Sequence, residues 1–169
     1  VVTVENVAGH SRDGDRSLAL HYAHVAPGRV ARVSTPTFIP SAEVAAYFER
    51  RGYALLASPT LYAGQTLRAR VEADAQNPTA VTCRPYLRVY DSQDDLARVP
   101  GPAVVLAPGA DHEFVWTVPD TGGYPIAQVG IELTSDQRAD GTLYLDTLTW
   151  DGAPTLPLTR PEAGGTMWH

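Results

Sequence analysis

The chain has no lysine. All thirteen of its basic residues are arginine, set against nineteen acids, for a net charge of -6 over 169 residues. Nucleic-acid binding leans on phosphate neutralisation, so this balance argues against a polyanionic nucleic acid as the main partner. Every cation is also a planar guanidinium, able to make bidentate contacts. There is a single cysteine, Cys83, which excludes an internal disulfide and leaves the redox compartment unread. No apolar run approaches the roughly 20 residues of a membrane-spanning helix, and no signal-peptide pattern opens the chain. Because it begins at VVTVEN and stops at GGTMWH, the sequence reads as an excised or processed piece, and a leader could have been lost.

Long helical patterns are scarce too. Fourteen Gly and fourteen Pro are spread along the length, which suits short strands and tight turns. Period-two alternation predicts strands over 16–24, 29–34, 65–73, 79–90, 113–118, 126–134 and 142–150. In the third of these, Leu67, Ala69, Val71 and Ala73 share one face, while Arg68, Arg70 and Glu72 share the other. Turn punctuation falls at Ala-Pro-Gly 26–28 and 107–109, Gln-Asn-Pro 76–78, Pro-Gly-Pro 100–102 and Asp-Thr-Gly-Gly 120–123. Only Ser41–Gly52 has helical character, with a Ser cap, an early Glu43 and a closing Gly. The expectation is an all-β antiparallel sandwich or jelly roll with one short helix near 41–52. Residues 1–152 would form the module, and 153–169 a terminal strand fragment or linker.

Catalytic templates are not met. There is no Gly-x-Ser-x-Gly elbow, no His-x-His and no His-Glu-x-x-His. His21 and His24, three apart on a strand, point to opposite faces. Cys83 lies on the apolar side of its strand with Val81, Pro85, Leu87 and Val89, as a small core residue would.

Two stretches carry chemistry. The first is GTLYLDTLTWDG (141–152), which places Asp146 in a segment that should be buried. A buried carboxylate needs a counter-charge. Calcium takes six to eight oxygens and needs no local motif. Glu5, the polar loop Ser11-Arg12-Asp13-Gly14-Asp15-Arg16 and Asp146 would meet at one edge if the first and last strands lay side by side. Otherwise Asp146 pairs with an arginine such as Arg16, or an edge strand exposes it. The second stretch is Thr82, Arg84, Tyr86, Arg88 and Tyr90, one face of a strand, with Arg68, Arg70 and Glu72 possible neighbours. Tyrosines among Arg and Glu suit sugar rings, which offer a CH face and hydroxyls. The same face would also serve as a solvated surface or as a dock for a neighbouring domain. Tyr47, Tyr53 and Tyr62 offer a second site, in loops at one end.

DGDRSLALHY (13–22), RVSTPTFIP (32–40) and GTLYLDTLTWDG together resemble the galactose-binding-domain-like jelly rolls that serve as carbohydrate-binding modules in bacterial glycoside-active enzymes. The resemblance implies a non-catalytic module that binds a poly- or oligosaccharide beside a catalytic domain of the same secreted parent chain. It also implies a structural calcium, with the early Glu mapping to Glu5, the loop to Ser11–Arg16 (Ser11, Asp13 and Arg16 among it) and the late Asp to Asp146. The usual Gly-Phe-Glu start is Val4-Glu5 here. The closing LTWDGAP is similar to accessory regions of bacterial proteins carrying an ADP-ribosylglycohydrolase-like domain.

Overall fold

The computed structural model describes residues 1–12, 14–37, 60–93 and 95–155. Two antiparallel sheets pack face to face. The first runs in the order β1 (Val2–Ala8), β2 (Arg16–Val25), β10 (Ala139–Asp151), β4 (Thr66–Ala73), β8 (Asp111–Thr117). The second runs β3 (Ala31–Pro36), β9 (Ile126–Thr134), β5 (Val81–Tyr90), β6 (Leu96–Pro100), and β7 (Val104–Leu106) also pairs with β5. The sandwich expected from the alternation is therefore present. The helix expected near 41–52 lies outside the described residues. Among the described residues no helix is long and apolar enough to cross a membrane.

The inward faces are those the alternation names. Leu67, Ala69, Val71 and Ala73 of β4 and Val81, Cys83, Leu87 and Val89 of β5 are buried, with Leu20, Phe114, Val129, Ile131 and Leu143. Each fully buried Leu, Ile or Phe contributes about 1.5–3 kcal/mol relative to exposure. Cys83 belongs to this core. Burial first, then the nearby Glu132 charge, pushes its thiol up to about 12, so it is inert at neutral pH.

Strands β6 and β7 were not legible in the alternation. They pair consecutive stretches of one edge of β5, β6 opposite Tyr86–Tyr90 and β7 opposite Val81–Cys83. Pro-Gly-Pro at 100–102 breaks what would otherwise be one edge strand, and Gly101 N–H closes the break by donating to the Pro85 carbonyl. Such interrupted edges resist pairing with other chains.

A bulge in β10 changes which residues share a face. Leu145 pairs with Val71 and Thr147 with Arg70, which leaves Asp146 as an extra residue between them. Alternation alone puts Tyr144, Asp146, Leu148 and Trp150 on one side. The bulge instead leaves Tyr144 and Asp146 outward and turns Leu148 and Trp150 toward the core, opposite Ala69 and Leu67. Trp150 Nε1–H then donates to the Thr60 carbonyl at 2.7 Å.

Candidate functional site

The outward face of the second sheet is built by register. Arg32 of β3, Glu132 of β9 and Arg84 of β5 form one row across it. Ser34, Gly130, Tyr86 and Pro100 form the next, followed by Gln128, Arg88 and Arg98. A groove of about 330 Å³ follows these rows, lined by Arg32, Ser34, Tyr86, Arg88, Leu96, Arg98 and Gln128.

Gly130 sets the depth of this groove. A Cβ there would lie 2.8 Å from Cε1 of Tyr86 and would strike the Val33 carbonyl oxygen. The missing side chain lets the Tyr86 ring lie against the strand, where it is 2 % exposed, with the Arg32 guanidinium 5.9 Å from its centroid. Tyr86 is thus the floor of the groove rather than a free stacking platform. The exposed surface above it is guanidinium and amide.

Glu132 is equally deep, at 2 % exposed, and gathers three arginines. Arg32 Nε donates to its Oε2 at 3.0 Å, Arg98 donates to both oxygens, and Arg84 Nε approaches Oε1 at 3.8 Å. Burial pushes the carboxyl up, but the hydrogen bonds and charges of Arg98 and Arg32 outweigh it and hold Glu132 below the ordinary range. The same hydrogen bond raises Arg98. Among the described residues Arg88 makes no such pair. Its Nη2 donates to the Leu96 carbonyl at 3.2 Å. Tyr90 is half-buried at the far end of β5, and its N–H donates to the Pro125 carbonyl.

Of the face residues expected from β5, Tyr86 and Arg88 line the groove, and Arg84 is tied to Glu132 beside it. Arg32, Arg98, Gln128 and Glu132 were not foreseen. Arg32, Gln128 and Glu132 come from strands remote in sequence and Arg98 from the edge strand that follows β5, and only the strand order β3-β9-β5-β6 brings them here. Arg68, Arg70 and Glu72 do not join them. Strand β4 lies in the other sheet, so these side chains occupy the opposite outer surface of the sandwich.

That opposite surface holds Asp146. Its side chain is 2 % exposed, and its Oδ2 accepts the Arg12 N–H at 2.8 Å and the Arg70 guanidinium at 3.4 Å. Arg70 also holds Asp111 at 2.8 Å. The loop from β1 to β2 folds over this surface, and His10 stacks on Tyr144 with centroids 3.6 Å apart. Tyr144 donates its hydroxyl to Asp74, a bond that, with burial, pushes the phenol up to about 12.

The guanidinium that reaches Asp146 is therefore Arg70. Arg16 instead clasps Asn6 through both the side-chain and backbone oxygens. The first and last strands do not run side by side, because β2 lies between them. Glu5 lies 3.5 Å from His21 at the surface, and Ser11 donates its hydroxyl to the Gly14 carbonyl. Asp13 lies outside the described residues. Among the described residues no three His, Cys, Asp or Glu side chains come together as a metal cluster. What the site does offer an ion is Asp146 Oδ1, a buried acceptor with no hydrogen-bond partner among the described residues.

Of the end-loop candidates, Tyr47 and Tyr53 also lie outside the described residues. Tyr62 is half-buried just before β4, its N–H donating to the Gln65 side chain at 2.9 Å, away from the groove.

No protein-family model matches the chain, and no curated protein matches it. Solved structures do share its fold. A structure described as addressing the promiscuous specificity of carbohydrate-binding modules from the β-sandwich superfamily aligns with a TM-score of 0.57 at 15 % identity, over 90 % of this chain and 54 % of that one. The chain therefore spans about half of that protein. The CBM22-1 xylan-binding domain from Paenibacillus barcinonensis aligns with a TM-score of 0.55 at 11 % identity, over 88 % of this chain and 80 % of that domain. The CBM22-1 and GH10 modules of a Clostridium thermocellum endo-1,4-β-D-xylanase, complexed with xylohexaose, align at 0.53 and 12 %, over 88 % of this chain and 24 % of that one. At these identities the likeness is one of fold, and the fold is the jelly-roll sandwich of carbohydrate-binding modules.

Proposed function

We propose that this chain is a carbohydrate-binding module and that the groove on the outward face of the second sheet is where it holds a glycan. The observation that carries this reading is the groove itself, an open channel across four strands lined by Arg32, Ser34, Arg88, Arg98 and Gln128 over a Tyr86 floor. Saccharide hydroxyls are recognised by planar, fixed donors and acceptors, and these side chains supply them. The fold shared with xylan-binding domains supports the assignment. The module binds and does not cleave. Its place beside a catalytic domain in a secreted parent chain is part of the proposal, supported by the xylanase in which a like-folded module is joined to GH10.

A structural calcium is a separable element of the proposal. It would take Asp146 Oδ1 and carbonyls of the β1–β2 loop, and would supply positive charge beside that of Arg70.

The test is affinity electrophoresis of the chain through gels containing soluble polysaccharides. Retardation by at least one of them is expected, weakened by Gln128→Ala and unaffected by Tyr62→Ala. The opposite pattern would move the site to the end loops. Mobility unchanged by any polysaccharide would leave a structural accessory domain.

A further inference from the structure

We infer that the glycan this groove selects is anionic, carrying carboxylate or sulfate groups on its sugar rings. The inference rests on the binding-module reading above and names the ligand class of that same site. Four guanidiniums, those of Arg32, Arg84, Arg88 and Arg98, share this face, and Glu132 is the only carboxylate among the described residues within 4 Å of any of them. Counted over the described residues, the face therefore carries a local excess of three positive charges on a chain whose net charge is -6.

Glu132 does not cancel this excess for a ligand. Its two oxygens are occupied by Arg32 and Arg98, and it is buried beneath them. It acts as a tether that orients the guanidiniums of Arg32 and Arg98, both of which line the groove. Among the described residues Arg88 is engaged only by a backbone carbonyl, so none of their carboxylates offsets its charge toward an incoming anion. A neutral sugar would leave these charges uncompensated on binding. A carboxylate or sulfate presents oxygens spaced to accept two parallel N–H bonds from one guanidinium. A groove of one sign on a molecule of the other sign also concentrates its counter-ion before contact.

The experiment is titration calorimetry of the unaltered chain against three polymers: neutral xylan, polygalacturonate and a sulfated galactan. A single-stranded oligonucleotide serves as a non-sugar polyanion, and each titration is run at about 50 mM and about 500 mM NaCl, where screening lengths differ severalfold. The expected result is at least tenfold tighter binding of one or both acidic polymers than of xylan, with the preference shrinking at high salt. Which polymer binds identifies carboxylate or sulfate as the group. Arg88→Gln should narrow the preference by about tenfold, the loss of one charge-assisted hydrogen bond.

Xylan bound as tightly as the acidic polymers, without salt dependence, overturns this inference and leaves the binding-module reading standing. No glycan bound, with the sheet signal intact by circular dichroism, overturns both. An oligonucleotide bound as tightly as polygalacturonate shows that the face reads charge and not sugar, and overturns it as well. Should Arg88→Gln fail to fold, the salt dependence of the unaltered chain decides.

Discussion

Replacing Glu132 with glutamine isolates the electrostatic centre of the groove. The substitution preserves shape and removes one charge. It also sets an amide N–H₂ donor among guanidinium donors, where a carboxylate accepted from Arg32 and Arg98 on both oxygens. Breaking a buried ion pair by deleting one partner costs about 3–5 kcal/mol. That figure must be discounted here, because the side chains of Arg32, Arg84 and Arg98 are 45 %, 33 % and 36 % exposed and can turn toward water. A cost of about 2–3 kcal/mol remains. For a domain of this size each kcal/mol moves Tm by roughly 2–4 °C, so thermal denaturation followed by circular dichroism at pH 7 should show a fall of roughly 4–12 °C. The pH dependence has a definite sign. Glu132 titrates below its ordinary value of 4.5, so its contribution is present above that value and is lost as pH falls through the depressed one. The Tm gap between the two proteins should therefore narrow progressively below about pH 4.5. An unchanged Tm at pH 7, or a gap that persists undiminished into acid, would refute the account of Glu132 as the tether of these arginines.

Two further outcomes bear on the other surface and the loops. Asn77, 7 % exposed, accepts from the Thr142 N–H and donates to the Thr142 carbonyl, both at 2.8 Å, imitating a paired strand where β10 is irregular. Asn77→Ala should cost about 2 kcal/mol, read as a lowered urea midpoint, and should expose the Thr142 amide to hydrogen exchange. If a calcium ion sits at Asp146, millimolar Ca²⁺ should raise Tm relative to chelator in the unaltered chain but not in Asp146→Asn. Equal Tm values in both conditions would leave Arg70 as the counter-charge of Asp146.

Why Asp146 puzzles a reader of the sequence is instructive. Strict alternation puts it in line with Trp150, yet the bulge at Asp146 reverses the parity after Leu145, so acid and indole end on opposite faces. A one-residue bulge depends on the partner strand's register, which local sequence does not encode. Strands β6 and β7 were missed for a related reason. They are five and three residues long and lie on an edge, where half-exposed side chains give little periodic signal.

By itself the sequence determined the sandwich, its long strands and the inward set of β4 and β5, because burial of one face imposes period two on every half-buried strand. It also placed Tyr86 and Arg88 on an outward face, since one buried neighbour fixes the direction of the next residue. Only the tertiary structure decided that Arg32, Arg98, Gln128 and Glu132 would meet them while Arg68 and Arg70 would not. Strand order is set by how two sheets close over a common core, and that closure joins residues as distant in sequence as Arg32 and Glu132, 100 positions apart.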